Sequence, residues 1–368
     1  MTSTLQAQAP VKTINPLGTD GFEFVEYTAP DQAGIDALKR LFSLMGFAEI
    51  AKHKHKHVWL YRQGDTNFIV NGEIVNGEPE SQAQSFAKNH GASVNAMAFR
   101  VQDAVHAIAY AAKQGAKVVE PNVGPMELSI PAVYGIGDSL LYFVDRYGDQ
   151  SIYEVDFDFY PDWQARLKEA DAGLKIIDHL THNVDIGNMD VWADFYDRIA
   201  NFKEIRFFDI EGKKTGLKSR ALTAPCGKIR IPINESSDDK SQIAEYLKEY
   251  NGEGIQHIAM TTDNIYQTVR TLRERGMAFM DTPETYYEQV NQRVNGHEEN
   301  IDELRDTRVL IDGDAESGIL LQIFTNTVIG PVFFEIIQRK GNQGFGEGNF
   351  KALFESIELD QMRRGVLD

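Results

Sequence analysis

Three histidines in AKHKHKHVWL, residues 51–60, have a spacing that could bind a metal ion. His53, His55 and His57 alternate with lysines, and a β-strand would carry all three imidazoles on one face because alternate side chains point the same way. Neutral imidazole is a common ligand of zinc, iron and copper. The segment contains no carboxylate, however, so we interpret it as a strand at the exposed edge of a sheet, where its lysines and histidines prevent edge-to-edge pairing, and not as a native metal site.

Three other residues suggest a different kind of metal site. His179 in IDHLTHNV, His257 in GIQHIAM and Glu335 in PVFFEIIQRKG each stand in a strand-like segment that is largely apolar. Two imidazoles and one carboxylate can occupy one face of an octahedral ion and leave three positions open, as in non-haem Fe(II) oxygenases. A closed structural zinc site would instead require four protein ligands, usually including thiolates. Taken singly, each residue could also be a buried polar group with only structural hydrogen bonds.

An internal repeat indicates which elements carry these residues. GFAEI at 46–50 matches NFKEI at 201–205, an offset of 155 residues, and a helical pattern of apolar residues precedes each copy. KQGAKVVEP at 113–121 parallels ERGMAFMDTP at 274–283 with an offset of 161. Each half therefore reads as a pair of βαβββ units, and the polar stretch at 155–172 separates the halves.

The repeat also provides an internal control for the metal hypothesis. A functional ligand can be replaced in a copy that has lost the function, whereas a structural residue should be kept in both copies. Each candidate ligand of the second half aligns with a residue of another type in the first half: His179 with Phe24, His257 with Ala96 and Glu335 with Tyr142. This coincidence favours a metal site in the second half. His182 follows His179 by three residues, so strand alternation turns it to the opposite face, in a structural or supporting role.

Strand alternation also predicts a pocket beside these ligands. Phe333 shares a face with Glu335, and Gln322 shares one with Phe324. Aromatic walls with a few amides are typical of a site for a planar aromatic molecule. The terminal segment GFGEGNFKALFESIE predicts a helix with Asn349 as its N-cap. This helix could carry Phe345 and Phe350 over the metal as a lid, with nearby glycines as a hinge.

Composition excludes several classes of function. The chain has 368 residues, 42% hydrophobic and 25% charged, which is typical of a soluble globular protein of two domains. A net charge of -18 argues against binding to nucleic acid or to anionic membranes. No apolar run is long enough to span a membrane, and the N-terminus has no apolar core of a secretory signal. No glycine-rich phosphate loop follows a predicted strand.

The single cysteine excludes a disulfide within the chain and is consistent with a reducing cytoplasm. Cys226 lies in TAPCGK, a turn-like segment, and we do not expect it to be a nucleophile.

The motifs of the second half resemble those of the 4-hydroxyphenylpyruvate dioxygenase family, which belongs to the vicinal-oxygen-chelate superfamily. They are KIIDHLTHNV, GLKSRAL, IRIPINE, GEGIQHIA, LLQIF, GPVFFEIIQRKG and GFGEGNFKALFESIE, in this order. The resemblance implies an α+β fold of two tandem vicinal-oxygen-chelate domains, each an open, incompletely closed barrel, with a C-terminal helix over the active site. We expect a disordered arm at 1–15, a non-catalytic domain at 16–155 and a catalytic domain at 156–368.

The resemblance also implies site residues and an activity. Fe(II) would be held by His179, His257 and Glu335, and Gln256 would lie behind them, because alternation turns it away from His257. The substrate 4-hydroxyphenylpyruvate would react with O2 to give homogentisate and carbon dioxide. The substrate would be surrounded by Ser219, Asn234, Gln242, Gln322, Phe324, Phe333, Phe345 and Phe350.

Three alternatives stay open at this point. Hydroxymandelate synthase shares the scaffold, metal and substrate, although it tends to have a smaller aliphatic residue where LLQIF has Phe324. An extradiol catechol dioxygenase would use the same type of ligands without releasing carbon dioxide, and a non-catalytic binding protein would not need iron. The family forms dimers or tetramers, so the resemblance further implies a homo-oligomer, with a tetramer favoured over a dimer. The single cysteine indicates a cytoplasmic location, and the net charge and the lack of a long apolar run argue against nucleic-acid and membrane partners.

Overall fold

The structure is a computed structural model, and it describes residues 14–349 and Ala352 with the exception of 79–80, 122, 125, 212–215 and 238–240. The predicted disordered arm lies almost entirely outside these residues. Asn15, the last residue of that arm, nevertheless makes two hydrogen bonds to Thr19. Its side-chain amide donates to the Thr19 carbonyl at 3.0 Å and accepts from the Thr19 backbone N–H at 2.9 Å.

The first half contains eight strands and five α-helices among the described residues. They are β1 (Phe22–Thr28), α1 (Gln32–Leu44), β2 (Ala48–His53), β3 (Val58–Gln63), β4 (Thr66–Asn71), α2 (Gln82–His90), β5 (Ser93–Arg100), α3 (Ala104–Lys113), β6 (Ala132–Tyr134), β7 (Leu140–Val144), α4 (Ile152–Asp156), β8 (Phe157–Phe159) and α5 (Trp163–Ala170).

The second half repeats this order through its third helix. It then has three short helices and three strands among the described residues, in place of β6, β7, α4, β8 and α5 of the first half. Its described elements are β9 (Leu174–Val184), α6 (Met189–Ala200), β10 (Lys203–Glu211), β11 (Gly216–Thr223), β12 (Arg230–Ser236), α7 (Gln242–Tyr250), β13 (Gly254–Thr262), α8 (Ile265–Glu274), α9 (Glu284–Glu288), α10 (Val290–Arg293), α11 (Ile301–Thr307), β14 (Leu310–Asp314), β15 (Gly318–Phe324) and β16 (Phe333–Lys340).

Each half forms one eight-stranded mixed sheet. The order is β8-β2-β3-β4-β1-β5-β7-β6 in the first sheet and β10-β11-β12-β9-β13-β16-β15-β14 in the second. Apart from one extra strand at one end of each sheet, the two orders superimpose strand for strand. The end strands of a sheet do not pair with each other among the described residues, so each barrel stays open. The predicted α+β fold of two tandem open barrels is confirmed.

The strand register supports the alignment of the two halves. In the first sheet, Glu26 lies opposite Ala96, and Ala98 lies opposite both Phe24 and Tyr142. In the second sheet, Thr181 lies opposite His257, and Ala259 lies opposite both His179 and Glu335. Residues at corresponding places in the two sheets are separated by the offsets found in the sequence, 155 residues between Phe24 and His179 and 161 between Ala96 and His257. Phe24, Ala96 and Tyr142 therefore occupy the places that the candidate ligands occupy in the second barrel.

The helices form where amphipathic stripes coincide with capping residues. The predicted apolar stripes that begin at Ile35 and at Met189 are confirmed as α1 and α6, both of which bury that face. Several helices begin after a short polar side chain that accepts a hydrogen bond from a backbone N–H of the first turn, which satisfies a donor that the helix itself cannot pair. These N-caps are Asp31, Ser81, Asp103, Ser241, Asn264 and Asn300.

One hydrophobic core extends through both halves. The Phe334 ring on β16 lies 5.9 Å from the Phe68 ring and 6.4 Å from the Tyr27 ring, measured between centroids, and both partners belong to the first sheet. The Gln63 side chain accepts from the backbone N–H of Ala172 at 2.7 Å, at the junction of the halves. The face of β16 opposite to Glu335 therefore packs against the first barrel.

The segment predicted as the boundary between the domains has structure of its own. β8 pairs with β2, and the Trp163 ring of α5 lies 5.4 Å from that of Phe159 on β8. Residues 157–170 thus extend the first sheet. We therefore propose that the first domain continues through α5 and ends near residues 171–173 rather than at 155.

The prediction that AKHKHKHVWL is one strand at a sheet edge is wrong. β2 ends at His53, residues 54–57 form a turn, and β3 begins at Val58. β2 lies between β3 and β8, so it is not an edge strand. The His53 Nδ1 accepts from the backbone N–H groups of His55 and Lys56, both at 3.1 Å, and these bonds close the turn. The lysines and histidines of this segment therefore lie in and beside a hairpin turn, and they do not prevent pairing at a sheet edge.

We expect the combined substitution of His53, His55 and His57 by glutamine to leave iron content and turnover unchanged. Loss of the two turn bonds to His53 should lower the free energy of unfolding by only about 1 kcal/mol. Metal analysis and oxygen uptake of the triple variant, compared with the unchanged chain, test this. A loss of iron would show that the turn is part of the metal site after all.

The terminal helix predicted to cover the active site lies almost wholly outside the described residues, as does Phe350. Its described first turn begins at residue 347, so Asn349 is not the N-cap. The Asn349 side chain is buried instead and accepts from the Tyr286 hydroxyl at 2.6 Å. None of the described helices combines the length and the apolar content that a membrane span requires.

Candidate metal centre

The candidate ligands lie on one face of the second sheet because of the strand register. Residues directly opposite each other on paired strands point to the same face. One row across four strands consists of Phe324, Glu335, Ala259 and His179. The neighbouring row consists of Phe333, His257 and Thr181. The small side chain of Ala259 leaves the space between Glu335 and His179 open.

Three ligand atoms converge in this space. His179 Nε2 lies 3.1 Å from a Glu335 carboxylate oxygen and 3.3 Å from His257 Nε2, and His257 Nε2 lies 3.5 Å from the same carboxylate oxygen. Adjacent ligands about 2.1 Å from an octahedral ion are roughly 3.0 Å apart. All three side chains are buried. They form the one group of three or more His, Cys, Asp or Glu in the described part of the chain that could hold a metal ion.

Hydrogen bonds to the far side of each ring set the tautomer that metal binding requires. His179 Nδ1 donates to Asp178 at 2.8 Å, and His257 Nδ1 donates to the Gln256 amide oxygen at 3.0 Å. With the proton on Nδ1, the lone pair of each Nε2 points into the site. The Thr181 hydroxyl, 3.0 Å from His257 Nε2, bonds the lone pair that a metal ion would take up.

Gln256 reaches His257 because the strand is irregular at this point. The pairing of β13 with β9 shifts its register between Ile255 and His257. Such a bulge breaks the simple alternation of side chains, so the expectation that Gln256 turns away from His257 is wrong in its geometry. The residue is in direct contact with the ring of the candidate ligand.

Electrostatics favour an ionised carboxylate at this centre. Burial by itself raises the pKa of Glu335, but His179 and His257 outweigh burial by attraction and hydrogen bonding, and they lower the pKa to about 2. Burial lowers the pKa of His257. For His179, burial also acts to lower the pKa, but Glu335 and Asp178 outweigh it and raise it. A metal ion would compete with a proton for His179.

Asp178 connects the centre to distant parts of the barrel. Its buried carboxylate accepts two bonds from the Arg339 guanidinium, both at 2.8 Å, and one from Arg230 at 3.3 Å. Burial acts to raise the pKa of Asp178, but Arg339 and His179 outweigh burial and hold the pKa far below its usual range. Arg339 also donates to the carbonyls of Asn342 and Gly344, at 3.1 and 2.7 Å. One ion-pair network thus holds both the His179 ring and the loop that follows β16.

Aromatic side chains enclose the centre. The Phe333 ring stacks on the His257 ring at 4.8 Å with an interplanar angle of 21°. Phe324 stands nearly perpendicular to Phe333, with centroids 6.0 Å apart. The Phe345 ring meets the His179 ring edge to face at 5.3 Å. These three of the predicted pocket residues therefore surround the ligands and limit the access of water.

Gln322 presents an unsatisfied acceptor in the same region. It is 1% exposed, and its amide oxygen has no hydrogen-bond partner among the described residues. An unpaired buried polar atom of this kind is costly unless a ligand or water satisfies it. A Cβ atom added to Gly346 would lie 1.9 Å from this oxygen, and Gly346 has a φ of +76°. Gly346 is therefore needed because the loop backbone passes close to Gln322, whereas the sequence suggested that this glycine was part of a hinge.

Substitution of Gly346 by alanine should lower kcat/KM by roughly tenfold to a hundredfold, because the new methyl group must displace Gln322 or the loop. Gly276 is a matched control: its φ is +99°, but an added Cβ would meet no atom within 4 Å. Gly276→Ala should lower the free energy of unfolding by about 1–2 kcal/mol through backbone strain alone and keep its activity. Equal activity losses in both variants would contradict the close-approach role of Gly346.

A row of polar side chains lies further along the same sheet. Ser219 is opposite Asn234, and Asn234 is opposite Asn183, to which it donates at 3.4 Å. The Asn183 amide nitrogen is fully buried and unpaired among the described residues. The structure thus brings the predicted Ser219 and Asn234 together with a residue that our sequence analysis missed. Its position four residues after His179, on the same strand face, was the available clue.

Two other residues from the sequence analysis make no described contact with the centre. Gln242 is exposed at the first position of α7, so the described contacts do not place it in the site. His182 faces away from the centre, and its Nε2 lies 2.7 Å from the Tyr196 hydroxyl. Burial lowers the pKa of His182 to about 3, so the ring is neutral. Asp178, Arg339 and Arg230 were missed, because nothing local in the sequence indicates that these charges meet.

Comparison with family models gives matches to both halves. A model described as "Hydroxyphenylpyruvate dioxygenase, HPPD, N-terminal" matches residues 13–158. A model described as "Glyoxalase/Bleomycin resistance protein/Dioxygenase superfamily" matches residues 176–300. The two open barrels are thus similar to tandem domains of the vicinal-oxygen-chelate type.

Several individual proteins are similar over nearly the whole chain. The chain is 71% identical to Hemolysin VllY of Vibrio vulnificus over 97% of its length and 99% of that protein. It is 62% identical to a 4-hydroxyphenylpyruvate dioxygenase of Pseudomonas aeruginosa over 99% of its length and 100% of that protein. A solved structure of a triple mutant of 4-hydroxymandelate synthase from Streptomyces coelicolor has a TM-score of 0.77 at 26% identity, with 95% of this chain and 100% of that one covered.

Proposed function

Since this chain belongs to the 4-hydroxyphenylpyruvate dioxygenase family, we propose that it converts 4-hydroxyphenylpyruvate and O2 to homogentisate and carbon dioxide, in the breakdown of tyrosine and phenylalanine. The reaction combines oxidative decarboxylation, ring hydroxylation and migration of the side chain. The observation that carries the proposal is the convergence of His179, His257 and Glu335 in a dioxygenase family.

We infer that the resident metal is Fe(II). Two imidazole nitrogens and one carboxylate oxygen match the ligand set of non-haem Fe(II) oxygenases, and no thiolate is near to favour structural zinc. When bound, Fe(II) would supply open positions for the 2-oxo acid group of the substrate and for activation of O2. Asp178 and Gln256 would hold the two histidine rings in place behind it.

The protein's own contribution is orientation and exclusion of water. Phe324 and Phe333 form two nearly perpendicular walls against which the substrate ring can pack. Gln322, with its unpaired amide oxygen, and the row of Ser219 and Asn234 would supply hydrogen bonds to the polar groups of the substrate. Phe345 over His179, together with the terminal segment that carries Phe350, would close the pocket during turnover. Gln242 would have to approach from the exposed start of α7.

The experiment is anaerobic loading of the full chain with Fe(II), followed by addition of 4-hydroxyphenylpyruvate and O2. Homogentisate and carbon dioxide should appear in equal amounts, as measured by mass spectrometry and NMR. Hydroxymandelate as the product would indicate the synthase reaction instead. Oxygen uptake with a catechol, without carbon dioxide, would indicate an extradiol dioxygenase. A folded, iron-loaded chain with no oxygen uptake would overturn the proposed activity.

We also infer a cytoplasmic homo-oligomer, with a tetramer favoured over a dimer. The inference on location is supported by the single cysteine. Exposed apolar side chains on the first half, such as Val105 at 73% and Met126 at 95%, support association. Light scattering after size-exclusion chromatography distinguishes the states.

A further inference from the structure

The first barrel contains a cavity of about 440 Å³ at the place that corresponds to the metal centre of the second barrel. Phe24 and Tyr142, the counterparts of His179 and Glu335, line it, and their rings lie 5.6 Å apart. Glu26 also lines it and stands where the second barrel has Thr181. The barrel without metal ligands has therefore kept a central cavity.

The cavity opens to the surface, because Glu120 and Val123 of its lining are exposed, so a guest molecule can enter it from solvent. A volume of about 440 Å³ falls in the range of pockets that bind small molecules. Much of its wall is apolar, from side chains such as Val58, Ile69, Ile130 and Leu140. Such walls suit an organic body better than a cluster of water.

Glu26 has hydrogen-bonding capacity to spare toward this cavity. It is only partly buried, and the amide nitrogens of Asn71 and Asn95 both donate to the same carboxylate oxygen, Oε1, at 3.1 and 2.7 Å. No donor to the other oxygen, Oε2, occurs among the described residues. Asn95 itself does not line the cavity, so Oε2 of Glu26 is the acceptor that a donor in the cavity can meet.

The charges that line the cavity are predominantly negative. Glu73, Glu120 and Asp156 line it together with Glu26, and the one lysine of the lining, Lys56, is already paired with Glu127 at 2.9 Å. Burial raises the pKa of Glu26, and Glu73 adds to this effect, although hydrogen bonds from Asn95 and Asn71 and the charge of Lys56 act in the opposite direction. A positively charged guest would balance the negative charges of this lining.

We propose that this cavity binds a small organic cation with an aromatic body, whose ammonium group donates to Glu26 while its ring packs against Phe24 and Tyr142. The inference is independent of the iron chemistry in the other barrel. It assigns a binding role to the half of the repeat that lacks metal ligands.

The test is calorimetric titration of the full chain with 2-phenylethylammonium. We expect one molecule to bind per chain and 3-phenylpropanoate, an anion of similar shape, to bind at least tenfold more weakly. Glu26→Gln removes the charge that the ammonium group meets and should weaken binding tenfold or more. Glu49→Gln is the matched control, because Glu49 is a carboxylate of the first half that does not line the cavity.

A second variant protects the test against misfolding of Glu26→Gln. Val58→Phe places a larger apolar side chain in the wall and should abolish binding while homogentisate formation continues. Failure of 2-phenylethylammonium to bind the folded full chain would overturn the proposal. Binding of 2-phenylethylammonium that persists in both variants would place the ligand elsewhere and overturn the proposal equally. Equal affinity for 3-phenylpropanoate, if Val58→Phe abolishes its binding and so locates it in this cavity, would refute the cationic class of ligand.

Discussion

Replacement of His179 by glutamine should remove iron and turnover together, whereas the same replacement at His182 should remove neither. His179 Nε2 lies within 3.3 Å of the other two candidate ligand atoms, so its loss leaves two protein ligands. We expect kcat/KM to fall by at least about a thousandfold, since the chemistry depends on the metal. Metal analysis after anaerobic loading and desalting, with oxygen uptake on 4-hydroxyphenylpyruvate, provides the measurement.

His182 is an informative control because it is also buried, on the same strand, but faces the other side of the sheet. Its hydrogen bond to the Tyr196 hydroxyl should be lost or weakened in His182→Gln, at a cost of about 1–3 kcal/mol in the free energy of unfolding. Iron stoichiometry should stay near that of the unchanged chain. Normal iron content in His179→Gln would refute the assignment of the centre.

Replacement of Asp178 by asparagine should weaken both iron binding and the fold. The carboxylate holds the Nδ1 proton of His179 and is the counter-ion of the largely buried Arg339. Removing one partner of a buried ion pair typically costs about 3–5 kcal/mol of stability. Loss of a group that orients a metal ligand typically reduces metal affinity tenfold to a hundredfold. Iron titration and denaturant unfolding of the same samples separate the two effects.

The repeat supplies a matched control for this substitution. Glu23 aligns with Asp178 at the offset of 155, is 2% exposed, and pairs with Arg100 at 2.6 Å in the barrel that has no metal ligands. Glu23→Gln should therefore destabilise the chain to a similar extent without changing iron affinity. If Glu23→Gln lowers iron affinity as much as Asp178→Asn does, the effect is global destabilisation, and the orienting role of Asp178 is wrong.

Much of the candidate site could be predicted from the sequence because its signals are local. Strand alternation depends only on neighbouring residues, so it placed Phe333 with Glu335 and turned His182 away from His179. Comparison of the two halves then identified the positions where one copy has ligands and the other does not, and the strand register agrees with that comparison. The division into two halves of paired βαβββ units followed from the same repeat, whereas the open-barrel fold was implied by the family resemblance.

The tertiary structure alone decided the parts that depend on long-range contacts or on local irregularity. Asp178 meets Arg339 across 161 positions of the chain, and no pattern in the sequence encodes that meeting. Gln256 contacts His257 only because a bulge interrupts the alternation, and β2 is an inner strand only because β8 pairs with it. The cavity beside Glu26 likewise exists only once the strands curve around it. Periodicity determines which face a side chain occupies, but packing of distant segments determines what lies opposite that face.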